Sequence, residues 1–358
     1  MTYSILILLL FILSHYFAGQ LVFNTFKFKK RKHLAYSLPA LASLLFVLST
    51  IIINYRGDLV FNYLYIISAA LFGLVTQLLI FGTIFYVLKY IFVKRKLLAR
   101  TLFSLAVIIF LLGIYNALFP QIKRMELNNL SNNEGNISIV HLSDLHLGLI
   151  YQPSYLENLV DKVNKIEADV VVISGDLFDG NDLKIRKFIP ALKGFEKPVI
   201  FAPGNHDHYI NEELLTNTVS EAGFYELRDE AYTIEGVEFI GFDYLSDQDS
   251  NTRRAIDNLS TEKEDLRVVI NHVPVDQAEA HALGADLMLS GHAHRGQISP
   301  FSIVVRYIYG EASYGFSNYK DMITYTSSGV GTWGPPVRTP FPGEILVFDI
   351  NKDSDMIE

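Results

Sequence analysis

Four apolar stretches, over about residues 3–23, 34–54, 63–88 and 101–119, fill the first third of this 358-residue chain. A helix needs roughly 20 apolar residues to cross a bilayer, so each stretch predicts a membrane span rather than part of a soluble core. No basic run precedes the first, which disfavours a cleaved signal peptide. The third is longer than one span requires. A tilted helix is the simplest reading, and a re-entrant segment there would reverse the orientation of everything downstream.

Charge divides the chain the same way. Residues 1–120 carry 11 Lys or Arg and one acid, Asp58, which leaves 19 basic and 37 acidic residues beyond them, a balance of about −18 (19 − 37). Lys27, Lys29, Lys30, Arg31 and Lys32 lie between the first two stretches, and Lys89, Lys94, Lys96, Arg95 and Arg100 between the last two. The intervening loop has only Arg56 beside Asp58. Cationic loops stay cytoplasmic, so the expected protein is a multi-pass cell-membrane protein whose soluble part is extracytoplasmic. The spans hold no charged residue that would mark a transport path; His15 and Gln77 are their most notable polar groups, and His15 is read as a helix contact. The acidic soluble part disfavours nucleic acid, which binds through cationic side chains. With no cysteine in the chain, disulfides, thiolate nucleophiles and Cys-ligated zinc are excluded.

Pro120 closes the fourth stretch, and residues 121–136, with the run NNLSNNEGN, read as a linker. Beyond it, short β-branched runs (137–142, 169–174, 198–203, 237–242, 266–271 and 286–291) alternate with amphipathic stretches at 154–167, 183–195 and 212–223. Later runs, MITYTSSG and EILVFDI, give further strands. That alternation predicts a layered α/β domain over 137–358, behind an anchor over 1–120.

Ligand-type side chains follow five of these strands. Asp144 and His146 follow the first, Asp176 and Asp179 the second, Asn205, His206 and Asp207 the third, His272 the fifth, and His292 with His294 the sixth. Carboxyl ends of strands converge on one crevice in such folds, and core packing does not account for polar residues at five of them. Asp, His and Asn without Cys suit Mn²⁺, Fe²⁺ or Zn²⁺. Seven ligands exceed one tetrahedral site and fit two ions sharing a carboxylate, the arrangement that clamps an in-line phosphoryl displacement. His206 suits acid work, because histidine titrates near neutrality.

The motifs DLH, GD, GNHD, a lone His and GHAH, in that order, resemble the calcineurin-like metallophosphoesterase superfamily over about 137–350. The N-terminal spans together with GNHDHY, LSGHAHRGQ and SSGVGTWGPPVRTPFPGE are similar to its transmembrane members. The resemblance implies two β-sheets flanked by helices and a site with two divalent ions. It implies that Asp144, His146 and His294 hold the first ion, that Asp176 bridges, and that Asn205, His272 and His292 hold the second. A bridging hydroxide would attack, and His206, oriented by Asp207, would protonate the leaving oxygen. Arg295 stands where the family has Gly; it could fork onto a substrate phosphate or pair with an acid at the surface. His208 is a second candidate substrate contact. His141 reads as packed, His281 as a helix-face residue, Asp179 as an orienter of a ligand histidine, and Asn271 as a loop brace. Trp333 and Arg338 lie in a Gly/Pro-rich loop that either borders the pocket or is a surface turn. The expected function is a membrane-anchored phosphomono- or diesterase whose partners are the bilayer and a phosphoester, lipid-linked in the reading the anchor favours. The alternatives are a UDP-diacylglucosamine pyrophosphatase-like hydrolase, whose cytoplasmic substrate conflicts with the derived orientation, and a non-catalytic membrane scaffold.

Overall fold

The computed structural model describes residues 15–26, 32–53, 59–128, 130, 136–180, 182–244 and 266–351. It divides into a helical unit, residues 1–116 with 334–340, and a second unit, residues 117–333 with 341–358.

The helical unit contains α1 over residues 15–26, α2 (Lys32–Ile53), α3 (Leu59–Leu88) and α4 (Arg95–Leu118). Of the described helices, α2, α3 and α4 are long and apolar enough to cross a membrane. The expectation of four spans is therefore met by three, and residues 3–14 of the first stretch lie outside the described residues. These helices reverse the soluble pattern. Leu41, Leu44 and Leu48 of α2 and Ile108, Leu111 and Leu112 of α4 face outward, while polar groups pair inside. His15 Nε2 meets Ser43 Oγ at 2.8 Å and Ser49 Oγ meets Ser68 Oγ at 2.6 Å. Residues 334–340 are bound to the same unit through backbone groups. Arg338 N–H donates to Gly113 O (2.9 Å), and the Asn116 amide donates to Arg338 O and Pro340 O (3.2 and 2.9 Å). Arg338 is thus a buried residue of the helical unit rather than part of a pocket rim.

The second unit is two six-stranded sheets. In chain order its elements are β1 (Gln121–Asn128), β2 (Ile137–Leu142), α5 (Pro153–Asn164), β3 (Val170–Ser174), α6 (Ile189–Leu192), β4 (Val199–Ala202), α7 (Glu212–Glu221), β5 (Tyr225–Glu226), β6 (Glu230–Ile234), β7 (Val237–Gly241), β8 (Leu266–Ile270), α8 (Gln277–Ala282), β9 (Leu287–Ser290), α9 (Phe301–Tyr309), β10 (Gly315–Tyr319), β11 (Met322–Thr326) and β12 (Glu344–Asn351). One sheet runs β1-β12-β2-β3-β4-β5 and the other β10-β11-β9-β8-β7-β6. Strand alternation explains the layers. Ile139, Val170, Val172 and Ile200 of the first sheet pack against Phe239, Val268, Ile270, Leu287 and Leu289 of the second. Val140, Leu142, Val171 and Ile173 turn the other way, onto Leu156, Val160, Leu192 and Leu215 of the helices. Strands β2, β3 and β4 are mutually parallel, as are β7, β8 and β9.

Two expectations change. Residues 121–128 are not a linker but β1, paired in parallel with β12 from Gln121↔Glu344 to Asn128↔Asn351. The stretch 183–195 forms a kinked 3-10 turn and only one α-turn, because Lys184 leaves helical geometry and Pro190 sets where an α-turn can begin.

Glu238 on β7 and Arg267 on β8 are register partners and both buried, with Nε to Oε2 at 2.5 Å. Removing one member of such a pair leaves an uncompensated charge, so Glu238→Gln is expected to destabilise the protein by about 3–5 kcal/mol, read as a lower denaturation midpoint. An unchanged midpoint would mean that the pair is solvated.

Candidate metal centre

The loops after β2, β3, β4, β8 and β9 meet at one edge of the second unit, because parallel strands end on the same side. Backbone bonds hold these loops together: Asp144 N–H donates to Gly175 O and His146 N–H to Asp176 O, both at 3.0 Å, and Gly291 N–H donates to His272 O at 2.9 Å. Asp144, His146, Asp176, His292 and His294 all adopt left-handed backbone angles, with φ between 46° and 65°. Such angles are uncommon for residues with a Cβ and concentrate where a site over-determines the backbone.

The side chains converge on two neighbouring points. At the first, His146 Nε2 lies 3.1 Å from His294 Nε2, and His294 Nε2 lies 3.3 Å from Asp144 Oδ1. At the second, Asn205 Oδ1 lies 3.1 Å from His272 Nε2 and 2.9 Å from His292 Nδ1. Asp176 Oδ2 lies between them, 3.1 Å from His272 Nε2 and 3.7 Å from His146 Nε2. Asp144, His146 and His294 could hold one ion, and Asp176, His272 and His292 another. On the opposite side of the rings, His272 Nδ1 meets Ser174 O at 2.8 Å, and Asp179 Oδ1 stands 3.4 Å from His146 Nδ1. Each Nε2 faces inward, the ring orientation a metal-ligating histidine needs.

Electrostatics point the same way. Burial would raise the Asp176 carboxyl, but His272 and then His146 hold it well below the usual carboxylate range. Burial opposes protonation of His272, yet the adjacent Asp176 charge lifts it to about 9. His292, buried and beside His272, is pushed down to about 4. The buried Asp176 charge draws cations to this cluster, and the donor set suits borderline divalent ions.

The His206 backbone N–H donates to Asp176 Oδ1 at 2.8 Å, and burial lowers the His206 ring pKa. The carboxylate near its Nδ1 is Asp179, at 3.8 Å, rather than Asp207. The fully buried Asp207 accepts from the backbone N–H groups of Gly204 (2.9 Å), Phe178 (3.0 Å) and Leu177 (3.2 Å), and burial raises it to about 6. It therefore clamps two ligand-bearing loops together. His208 is turned to Asp243 at 2.8 Å. The Arg295 guanidinium stacks over Phe341 (3.4 Å) and Tyr314 (4.0 Å). His141 is buried with Nε2 2.7 Å from Ser174 Oγ, and burial lowers it to about 3, so it packs as a neutral ring. Asn271 braces its loop through Val275 O at 3.0 Å, and His281 pairs with Asp321 at 2.7 Å on α8. Trp333 stands beside His206 with ring centres 6.3 Å apart. Sequence reasoning missed Tyr309, at the end of α9, whose ring lies 6.1 Å from that of His292; the apolar spacing of 301–308 was its only signal.

The family profile for calcineurin-like phosphoesterases matches residues 137–296, which include all seven converging side chains. A metallophosphoesterase of Campylobacter jejuni is 31% identical over 278 residues, covering 73% of this chain and 71% of its own length. This chain belongs to the calcineurin-like metallophosphoesterase family. Two metallophosphoesterases of Helicobacter pylori are 31% identical over 245 residues, and the match spans 65% of their length. A zebrafish transmembrane protein with a metallophosphoesterase domain is 27% identical over 65% of this chain and 58% of its own. The similarity to that protein and the three long apolar helices together suggest that this metallophosphoesterase is a membrane protein.

Gly204 separates β4 from Asn205. A Cβ there would lie 2.8 Å from His272 Cδ2 and closer still to Asp176. Gly204→Ala is expected to weaken Mn²⁺ binding by about 10–100-fold, the loss typical of disturbed ligand orientation, and to remove most of the rise in Tm that Mn²⁺ gives. An undiminished rise would show that Asp176 and His272 can shift without cost.

Proposed function

We propose that the chain hydrolyses phosphoesters at a centre of two divalent ions on the extracytoplasmic face of a membrane. The observation that supports this reading is two neighbouring donor clusters, Asp144/His146/His294 and Asp176/His272/His292, with Asp176 Oδ2 3.7 Å from His146 Nε2. Asp144, His146 and His294 would hold one ion, Asn205, His272 and His292 the other, and Asp176 both. Mn²⁺, Fe²⁺ and Zn²⁺ all suit these donors. Such ions supply Lewis acidity to the phosphoryl oxygens and acidify the attacking water.

The chain's own groups supply the rest. Asp207 fixes the loops that carry Asp176 and Asn205, which keeps the donor atoms in place. His206 lies partly exposed at the rim, with its backbone tied to Asp176 and Asp179 near Nδ1. Asp179 is the carboxylate nearest its Nδ1, at 3.8 Å, and the Nε2 side of His206 is the one to give a proton to the departing oxygen. Arg295 and His208 are the proposed contacts of the substrate's remaining parts.

The orientation rests on α4. Its first residues, following Lys94, include Arg95, Lys96 and Arg100, while its other end at Leu118 leads into the second unit. Basic flanks stay cytoplasmic, so the second unit is assigned to the opposite side. A site tethered there favours membrane-proximal phosphoesters, lipid-linked ones included.

Detergent-solubilised protein with Mn²⁺ is expected to hydrolyse p-nitrophenyl phosphoesters and to lose that activity with chelator. His206→Gln should lower turnover of alkyl phosphoesters, which leave poorly, by about 10²–10⁴-fold, the usual worth of a general acid, and spare p-nitrophenyl esters. Equal losses on both would remove His206 from the acid role, and metal-loaded protein inert on both mono- and diesters would refute the hydrolase reading.

A further inference from the structure

Helix α9 is built backwards for a soluble domain. A surface helix turns its apolar stripe into the core, yet Phe301, Ile303, Val304, Tyr307 and Ile308 are exposed by 51% to 91%. At 100° per residue these five share one face. Ser302, Val305 and Tyr309 are half-buried on the other. Behind the helix lies a cleft of about 570 Å³ whose lining includes Arg295, Arg306, Glu311, Tyr314 and Phe341. The helix ends at Tyr309, whose ring meets that of His292, so its position bears directly on the metal centre.

We propose that α9 lies in the headgroup region of a bilayer containing anionic phospholipid, with its apolar face in lipid and the arginine-lined cleft behind it receiving a lipid phosphate. This goes beyond the hydrolase reading and rests on the chain being a membrane protein. An outward apolar face of this extent marks an interaction surface. The partner chemistry is read from four features. The face repeats the outward Leu and Ile pattern of α2 and α4, helices fit for a bilayer. Nine residues are too short to span, so a helix of this kind lies in the plane. Its composition is aromatic and aliphatic on one side with Arg306 at the edge and no acid within it, the interfacial pattern. The cleft brings two cations, Arg295 and Arg306, against the single acid Glu311, which complements a phosphate.

The chain has no cysteine, so single nitroxide labels can be placed cleanly. The full chain carrying Tyr307→Cys, labelled and set in nanodiscs of phosphatidylglycerol, is expected to be relaxed by oxygen far more than by a water-soluble nickel chelate. A label at Glu235→Cys, in the exposed β6–β7 turn, should show the reverse. In phosphatidylcholine the 307 label should move toward water, and Arg306→Gln should abolish the difference between the lipids. Nickel accessibility at 307 equal to that at 235 in both lipids would overturn the proposal. Protection accompanied by spin–spin broadening that vanishes on dilution with unlabelled chain would also overturn it, in favour of a second copy. Equal protection in the two lipids would remove the anionic headgroup from the cleft. None of these readouts requires turnover, so an inactive but lipid-protected protein would count against the hydrolase reading alone.

Discussion

Asp176 is the group on which the rest of the second unit depends. One oxygen faces His272 and His146 from the two sheets, and the other accepts the His206 backbone N–H. A buried carboxylate in that position is tolerable only if cationic partners surround it. The chain provides them with histidines delivered from β8 and from the loop after β2. The two sheets are therefore joined twice, by the apolar layer of Ile139, Val172, Phe239 and Leu289 and by the polar edge where their strands end. Packing sets the sheets face to face, and the parallel strands within each sheet, β2-β3-β4 in one and β8-β9 in the other, bring the ligand-bearing loops to one edge.

That logic explains how much could be read from residues alone. Ligand-type side chains after buried β-branched runs are a two-part signal, and strand ends are where parallel sheets expose chemistry. The seven expected donors come together in space for that reason. Other features had weaker signals. β1 reads QIKRMELN, and its pairing with β12 is decided by a neighbour more than 200 residues away, which no local pattern records. The orienting role expected of Asp207 came only from the family resemblance. A 3-10 turn instead directs its carboxylate to backbone amides, and Asp179, from another loop, approaches the ring. The Gly/Pro-rich loop around Trp333 and Arg338 read as either a pocket border or a surface turn, but the backbone of Arg338 and Pro340 pairs with Gly113 and Asn116. Helix α9 went unread because its stripe, though regular, faces outward.

The two units together suggest a division of labour. Membership of the metallophosphoesterase family rests on the second unit, and the first holds three helices long and apolar enough to cross a bilayer. On the proposed reading, the anchor keeps the centre near a surface where phosphoesters are concentrated in two dimensions, and the exposed apolar residues outside the spans extend that surface. The reaction class then comes from the donor set, and the choice of substrate from what borders it: Arg295, stacked between aromatic rings, and Tyr309 beside His292.

The central claim is that two cations share Asp176. Anomalous diffraction from crystals grown with Mn²⁺ tests it most directly. The account predicts two peaks ~3.5–4 Å apart, one against Asp144, His146 and His294, the other against Asn205, His272 and His292, both within bonding distance of Asp176. A single peak at saturating Mn²⁺, or two peaks that Asp176 does not join, would contradict it.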